Sequence, residues 1–309
     1  MRELNYERVF NVLVKETSNY ITKNHLKAMV LGISGGIDST VVAAICHEVS
    51  KQTGIPLIGR SLPIKNKSDE FDVSKLVGEA FCNDFKVYRL ERSYRAALFD
   101  ACADAGDVNM ANSYYLDELE EMPSRTPIAN GNLQARCRMM YLYDIASRYR
   151  GLVMSTDNQT EYQLGFWTIH GDVGDFDPIQ GLWKTEVYGL ANWLLKFHYP
   201  EVYFDSSVEE IHKVTDMMCA LRESIALTPT DGLGISNSDL DQIGAKSYYD
   251  VDRVLQTVTC KASPENDKLQ DELTAELGPD VVGKIMQRRF NSRFKRLLSP
   301  IIVPRELYD

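Results

Sequence analysis

Gly32-Ile33-Ser34-Gly35-Gly36-Ile37-Asp38-Ser39-Thr40 decides how the chain is read. Ahead of it lies an apolar run, Ala28-Met29-Val30-Leu31; behind it Val41, Ala44, Ile45 and Val49 recur at helical spacing. A short apolar run, a turn and a helical repeat predict strand, loop and helix. Glycines let the loop backbone approach an anion closely and adopt positive φ. The start of the following helix presents N–H groups and the positive end of its dipole to the loop. Together these features make a phosphate cradle. Asp38 adds a carboxylate suited to a Mg²⁺ ion carried by the phosphates. A tight strand-to-helix connection also favours Gly and Ser. Two adjacent glycines, two hydroxyl residues and an acid are more than such a turn needs.

The rest of the chain sets the frame. It has 309 residues, 44% hydrophobic and 25% charged, enough for a substantial core. The net charge of −10 disfavours nucleic acid as a partner unless a local basic patch exists. Charged residues in Met1-Arg2-Glu3-Leu4-Asn5-Tyr6-Glu7 stand where a signal peptide would be apolar. No apolar run approaches the roughly 20 residues of a membrane span, so a cytoplasmic protein without a membrane partner is expected. The six cysteines, at 46, 82, 102, 137, 219 and 260, show no C-x-x-C spacing, which argues for buried free thiols over structural zinc.

Periodicity predicts helices over 4–23, 40–50, 69–82, 132–149, 184–197, 207–224, 248–257 and 279–297, and strands at 28–31, 55–63, 85–90 and 151–155. Strands alternating with helices predict an α/β fold with a parallel sheet and right-handed crossovers. The polar segment 101–131 reads as a long loop, or as a loop holding a short helix near 113–121. Residues 227–238 read as a second loop. In open parallel sheets ligands sit at the carboxyl ends of the strands. That rule gathers Ser34–Ser39, Arg60–Leu62 and Thr156–Glu161 at one crevice.

The order S-G-G-x-D-S at 34–39 resembles the signature of the PP-loop ATP pyrophosphatases. It is not a Walker loop, because no Gly-Lys-Ser/Thr follows. The resemblance implies ATP cleavage between the α and β phosphates with transfer of AMP. Further motifs narrow it. Asn132-Leu133-Gln134-Ala135-Arg136-Cys137-Arg138-Met139 resembles the N-x-x-A-R-x-R-M helix of NAD synthetases. Ser155-Thr156-Asp157-Asn158-Gln159-Thr160-Glu161 resembles their [GS]-T-D-x-x-x-E segment. Gly165-Phe166-Trp167-Thr168-Ile169-His170-Gly171-Asp172 is similar to G-F-F-T-K-[FY]-G-D. Pro178, Leu182 and Lys184 match P-x-x-x-L-x-K, and Thr228-Pro229-Thr230-Asp231-Gly232-Leu233 resembles P-T-A-D-L. Phe294-Lys295-Arg296 with Pro300 resembles the basic tail.

This resemblance runs in order from about residue 4 to about 305. It implies a Rossmann-like parallel sheet of the adenine nucleotide α-hydrolase type, in one synthetase domain over 1–309. It implies ATP contacts at Gly32, Ile33, Ser34, Gly35, Gly36, Ile37, Asp38, Ser39, Thr156, Lys184 and Thr230. It implies Mg²⁺ carboxylates at Asp38 and Glu161, with Lys184 completing the catalytic set. Arg136, Asp175, Phe294 and Lys295 fall at deamido-NAD positions. The reaction implied is ATP-dependent amidation of deamido-NAD with ammonia through an acyl-adenylate, in a homodimer. About 30 residues precede the phosphate loop, too few for a glutaminase domain. Free ammonia or a separate glutaminase is therefore implied.

Each residue also has a plainer reading. Arg136 fits a solvated helix face. Glu161 fits a helix N-terminal acid. Lys184 fits a pairing with Glu186 or solvent. Asp172 and Asp175 sit in a turn where Asp is common. The basic run Arg288, Arg289, Arg293, Lys295, Arg296 fits a solvated face. Their joint register favours the functional reading. Two positions depart from the family pattern: Ile169 stands where a substrate-binding lysine is usual, and Phe294 where a histidine is usual. Another PP-loop ligase acting on a different carboxylate, and a silent nucleotide-binding homologue, are the alternatives.

Overall fold

A computed structural model describes residues 4–65, 68–205, 207–228, 239–259, 264–298 and 301–302. Four parallel strands form the centre: β1 (Met29–Gly32), β2 (Leu57–Ser61), β3 (Asp84–Val87) and β4 (Leu152–Val153), in the order β3-β2-β1-β4. Met29 lies opposite both Leu57 and Leu152, and Gly32 lies opposite Arg60. A parallel bridge from Met154 to Phe176 links β4 to a second parallel pair, β5 (Phe176–Asp177) and β6 (Ile301–Ile302).

Strands β1 and β4 read as apolar runs because both sheet faces are covered there. Met29 and Leu31 join one hydrophobic cluster and Val30 joins the other, as the two-residue side-chain period requires. The first cluster packs α1 (Tyr6–Lys23), α2 (Ile37–Thr53), α3 (Ser68–Phe81), α8 (Lys184–Trp193) and α10 (Val208–Ala226). The second packs α4 (Glu91–Asp104), α5 (Leu116–Glu120) and α6 (Pro127–Tyr149). A third joins α7 (Gln159–Leu164) to a C-terminal set: α11 (Asp239–Ile243), α12 (Tyr248–Thr259), α13 (Pro264–Leu277) and α14 (Pro279–Asn291).

Several elements differ from the periodicity reading. The segment 101–131, read as a long loop or a loop with a short helix near 113–121, holds that short helix as α5, and also the end of α4 and the start of α6. Thr126 caps α6, its Oγ1 accepting from Ala129 N at 3.1 Å, and Pro127 follows at the first helical position. That pair is a helix start signal, so Pro127 opens a helix where it was read as loop punctuation. Lys65 ties α5 down through Asp117 and Glu120, at 2.6 and 2.5 Å, and Tyr94 Oη donates to Glu120 at 2.9 Å.

The helix expected over 184–197 ends as an α-helix at Trp193. It passes through a π turn, Leu194–His198, into α9 (Tyr199–Asp205). Pro200 supplies no N–H, so the regular ladder cannot run through it; as the second residue of the next helix it is tolerated. Helices α4 and α13 were not anticipated. The loop expected over 227–238 lies largely outside the described residues, as does Thr230.

Candidate active site

The phosphate loop leaves β1 and turns at Gly35, whose φ is +89°. A Cβ there would lie 2.8 Å from the Glu70 carbonyl oxygen and 2.9 Å from Ser74 N. Glycine is therefore required both by conformation and by the close approach of α3. Ser39 Oγ donates to the Gly36 carbonyl at 2.9 Å and lies 3.0 Å from Ser34 Oγ. These bonds fix the loop against the first turn of α2. The N-cap is Gly36, which has no side chain to satisfy that turn's N–H groups. They are left to an anion.

A cavity of about 310 Å³ opens over this turn. Gly32, Ile33, Ser34, Gly36, Ile37 and Asp38 line it, and so do Thr156, Glu161 and Lys184. Gly35 forms the turn behind the wall, and Ser39 is buried beneath it. Ser61, Leu62 and Pro63 arrive from the end of β2, as the carboxyl-edge rule requires. Arg60 also borders the cavity, but its guanidinium turns to Asp84, donating to Oδ2 at 2.9 Å.

Lys184, at the first position of α8, reaches back into this cavity. Its Nζ lies 2.5 Å from Asp38 Oδ2 and 2.9 Å from Glu161 Oε1. Asn158 Nδ2 donates to the other Asp38 oxygen at 2.8 Å. Asn158 also caps α7, its Oδ1 accepting from Glu161 N at 3.1 Å. The capping box thus sets Glu161 on the helix turn nearest Asp38. Burial alone would drive the Lys184 ammonium down; the two carboxylates outweigh it and hold it well above its usual range. The plainer pairing of Lys184 with Glu186 is not adopted: Glu186 Oε2 accepts from Trp183 N at 2.9 Å.

Two carboxylates that share one ammonium nitrogen converge on a point the size of a cation. Hard carboxylate oxygens are the donors Mg²⁺ takes. Asp38 and Glu161 therefore fit a divalent ion brought in with nucleotide phosphates.

The far wall comes from α6. Ala135, Met139 and Leu142 line the cavity at helical spacing. Arg138 lines it too. Its position three residues after Ala135 puts it on the same face, a spacing that could have revealed it. Its Nε donates to the Leu62 carbonyl at 3.0 Å. Asp172 borders the cavity from the opposite side, its Oδ1 accepting from Thr168 N at 2.7 Å. Below the cavity Asp157 accepts from Ser155 Oγ at 2.8 Å. Burial holds the Asp157 and Asp177 carboxyls well above the usual carboxylate range.

Arg136, Asp175, Phe294 and Lys295 are not among the residues of the cavity wall. Arg136 Nε donates to the Ile169 carbonyl at 3.3 Å. Asp175 accepts from Tyr143 Oη at 2.8 Å and from Val153 N at 3.0 Å. Lys295 Nζ donates to the Gly165 carbonyl at 2.8 Å and to the Trp167 carbonyl. Phe294 is 57% exposed. The basic tail is not simply a solvated face. Arg296 donates to the Gln163 carbonyl at 2.8 Å, Arg289 to Gln163 Oε1 at 2.9 Å, and Arg288 lies 3.5 Å over the Phe166 ring. Cations here meet carbonyls at the C-terminal end of α7, where the helix dipole favours them.

The sequence reading missed Asp252. It is fully buried on α12 and accepts from Thr160 Oγ1 at 2.5 Å, Thr185 N at 3.0 Å and Thr185 Oγ1 at 2.7 Å. Burial raises its carboxyl to about 6. Its one visible signal was an acid inside the apolar run Val251, Val254, Leu255.

Comparison with known proteins follows from this geometry. The profile of the family described as NAD synthase matches residues 9–299. A protein from Campylobacter jejuni named NH(3)-dependent NAD(+) synthetase is 26% identical over 300 residues, covering 97% of this chain and 99% of its own length. One of the same name from Thermoplasma acidophilum is 31% identical over 246 residues, covering 78% and 81%. Among solved structures, an NMN synthetase from Francisella tularensis superposes with a TM-score of 0.67 at 22% identity, covering 95% of this chain and 97% of that one. An NH3-dependent NAD synthetase from Campylobacter jejuni gives 0.62 at 21% identity, covering 95% and 96%.

Proposed function

Because this chain belongs to the NAD synthase family, we propose that the crevice around Asp38, Glu161 and Lys184 is where it amidates deamido-NAD with ammonia at the expense of ATP. Family membership makes the protein a ligase that forms NAD, with ATP as co-substrate. The observation that carries the site assignment is the convergence of Asp38 and Glu161 on Lys184 Nζ beside an uncapped helix start.

The chemistry follows from the substrate. A carboxylate is a poor electrophile and must be activated. One of its oxygens attacks the α-phosphorus of ATP, the bond to the bridging oxygen breaks, and pyrophosphate leaves with the electron pair. Ammonia then attacks the acyl carbon. A proton is lost, and AMP departs carrying one former carboxylate oxygen. The N–H groups at the start of α2 hold the departing pyrophosphate. Lys184 neutralises charge that builds up on it. Asp38 and Glu161 would hold Mg²⁺, which when bound supplies positive charge to the phosphate oxygens. Leu62, Met139 and Leu142 give the cavity apolar walls that keep water from a hydrolysable adenylate. Catalysis is positioning and electrostatics, with no nucleophilic side chain required.

Arg136 and Lys295 hold carbonyls of the 165–175 segment and Asp175 ends it; the family resemblance makes these three, with Phe294, the acceptor contacts. The same resemblance supports ATP contacts at Thr156 and Thr230, one synthetase domain over 1–309, a cytoplasmic homodimer, and ammonia taken free or from a separate glutaminase. A second reading rests on Ile169: an isoleucine cannot make the charge-assisted bond of a lysine, and its carbonyl is held by Arg136. Under that reading the acceptor is another carboxylated nucleotide. AMP and pyrophosphate release, measured with deamido-NAD and with a panel of other carboxylates, tests both. Amide formed only from deamido-NAD supports the first. Amide formed only from another acid replaces it.

A further inference from the structure

We propose that Asp252 is a positioning residue for the reaction: through the Thr160 and Thr185 hydroxyls it sets the backbone at Lys184. The inference rests on the site assignment above and extends it to a helix outside the cavity wall.

Helix α8 begins at Lys184 after Trp183. An indole has no acceptor, so Trp183 cannot cap the helix. The orphan donors of that first turn need acceptors from elsewhere. Asp252 supplies one of them across the fold: Oδ2 accepts from Thr185 N at 3.0 Å, and also from Thr185 Oγ1 at 2.7 Å. Its other oxygen accepts from Thr160 Oγ1 at 2.5 Å. Having donated its proton to Asp252, the Thr160 hydroxyl presents a lone pair, and this accepts from Lys184 N at 2.8 Å. One carboxylate therefore joins the first turns of α7 and α8.

The two threonines are neighbours in sequence of the two reacting-site residues. Thr160 precedes Glu161, and Thr185 follows Lys184. One turn before Asp252, Tyr248 lies on the same face of α12, its ring centre 5.5 Å from Lys184 Nζ. Val251, Val254 and Leu255 anchor α12 in the C-terminal cluster. That cluster also holds Leu164 of α7 and Trp183 before α8. The buried network is satisfied at every member named, which is the condition under which such networks fix geometry. Displacing a catalytic group by about 1 Å can cost a hundredfold in rate.

The test replaces the link and leaves the cavity alone. Thr160→Val removes the hydroxyl at nearly constant volume, and Thr160→Ser restores it. Rates of AMP formation, KM for ATP and melting temperature are measured for both, with Asp252→Asn as a second cut at the same network. The expected result is a fall of at least about tenfold in kcat for Thr160→Val. KM for ATP should change by less than threefold, the melting temperature should hold within a few degrees, and Thr160→Ser should recover most of the rate. Thr160→Val or Asp252→Asn with undiminished kcat overturns the proposal. A rate loss accompanied by a collapse in melting temperature, or one that Thr160→Ser does not recover, also overturns it, because Asp252 is then only a helix cap. If Asp252→Asn does not fold, the Thr160 pair decides. Failure of wild-type protein to make AMP from any carboxylate would instead sink the site assignment beneath it.

Discussion

Lys184 Nζ lies 2.5 Å from Asp38 Oδ2, although 146 residues separate the two in sequence. The contact closes a ring of donors around the Asp38 carboxylate, with Asn158 on its other oxygen. Under the proposed assignment Lys184 Nζ stands where a divalent ion would sit between Asp38 and Glu161, so a metal arriving alone would have to displace it, whereas one arriving on phosphates would bring anionic oxygens for the ammonium.

That competition is measurable. Lys184→Met removes the ammonium between the two carboxylates and should raise affinity for Mn²⁺, followed by its paramagnetic resonance signal without nucleotide, by at least about tenfold; each tenfold corresponds to about 1.4 kcal/mol. The wild type should bind Mn²⁺ tightly only when an ATP analogue is present. Equal affinity of variant and wild type, both without nucleotide, would mean that Lys184 does not guard the carboxylates.

Asp38→Ala and Glu161→Ala should each lower AMP formation by about a hundredfold or more, on the scale of losing one preorganised electrostatic contact. Circular dichroism should stay native-like, so that the loss reads as chemistry and not as unfolding. Near-normal activity of either variant at ordinary Mg²⁺ removes that residue from the site.

Gly35→Ala tests the cradle. A side chain at φ +89° is strained, and its Cβ would fall 2.8 Å from the Glu70 carbonyl oxygen. Left-handed strain of this kind costs about 1–3 kcal/mol. Denaturant unfolding should register a loss of that size, and ATP affinity should fall with it. A variant as stable as wild type would show that the loop turns elsewhere.

Asp252 carries a pH signature. Its folded carboxyl is raised from 3.8 to about 6, so the folded chain holds this proton more tightly than the unfolded chain. The stabilisation from that proton is complete below the unfolded pKa and is lost as pH rises through 6. The rise corresponds to about 3 kcal/mol over the whole window, of which about 1.4 kcal/mol lies between pH 5 and pH 7.5. Asp252→Asn cannot titrate. In urea unfolding, wild type should lose about 1.4 kcal/mol more than the variant between those two pH values. Parallel pH profiles would show that the carboxyl is not raised.

The sheet and the cradle were legible because both depend on local pattern. Met29 to Leu31 is apolar throughout because both faces of β1 are buried, and Gly35 announces its turn. The strand at 176–177 was not legible, because two residues have no period. Helix α4 was missed: among its residues only Tyr94, Leu98 and Cys102 are buried, a stripe too sparse to stand out. Glu161 and Lys184 were named by motif, but their meeting with Asp38 depends on the Asn158 cap and on where α8 begins. Asp252 was illegible as a site residue because its partners lie 92 and 67 residues away. Arg138 could have been found from its helical offset to Ala135, and the weight given to Arg136 hid it.

The central claim is that this crevice activates a carboxylate by adenylation. Deamido-NAD labelled with ¹⁸O in both carboxyl oxygens, incubated with ATP, Mg²⁺ and ammonia, tests it by mass spectrometry of the products. The account predicts AMP carrying one ¹⁸O atom, unlabelled pyrophosphate, and NAD keeping the other label in its amide. Unlabelled AMP, or ADP with the label in inorganic phosphate, would contradict it.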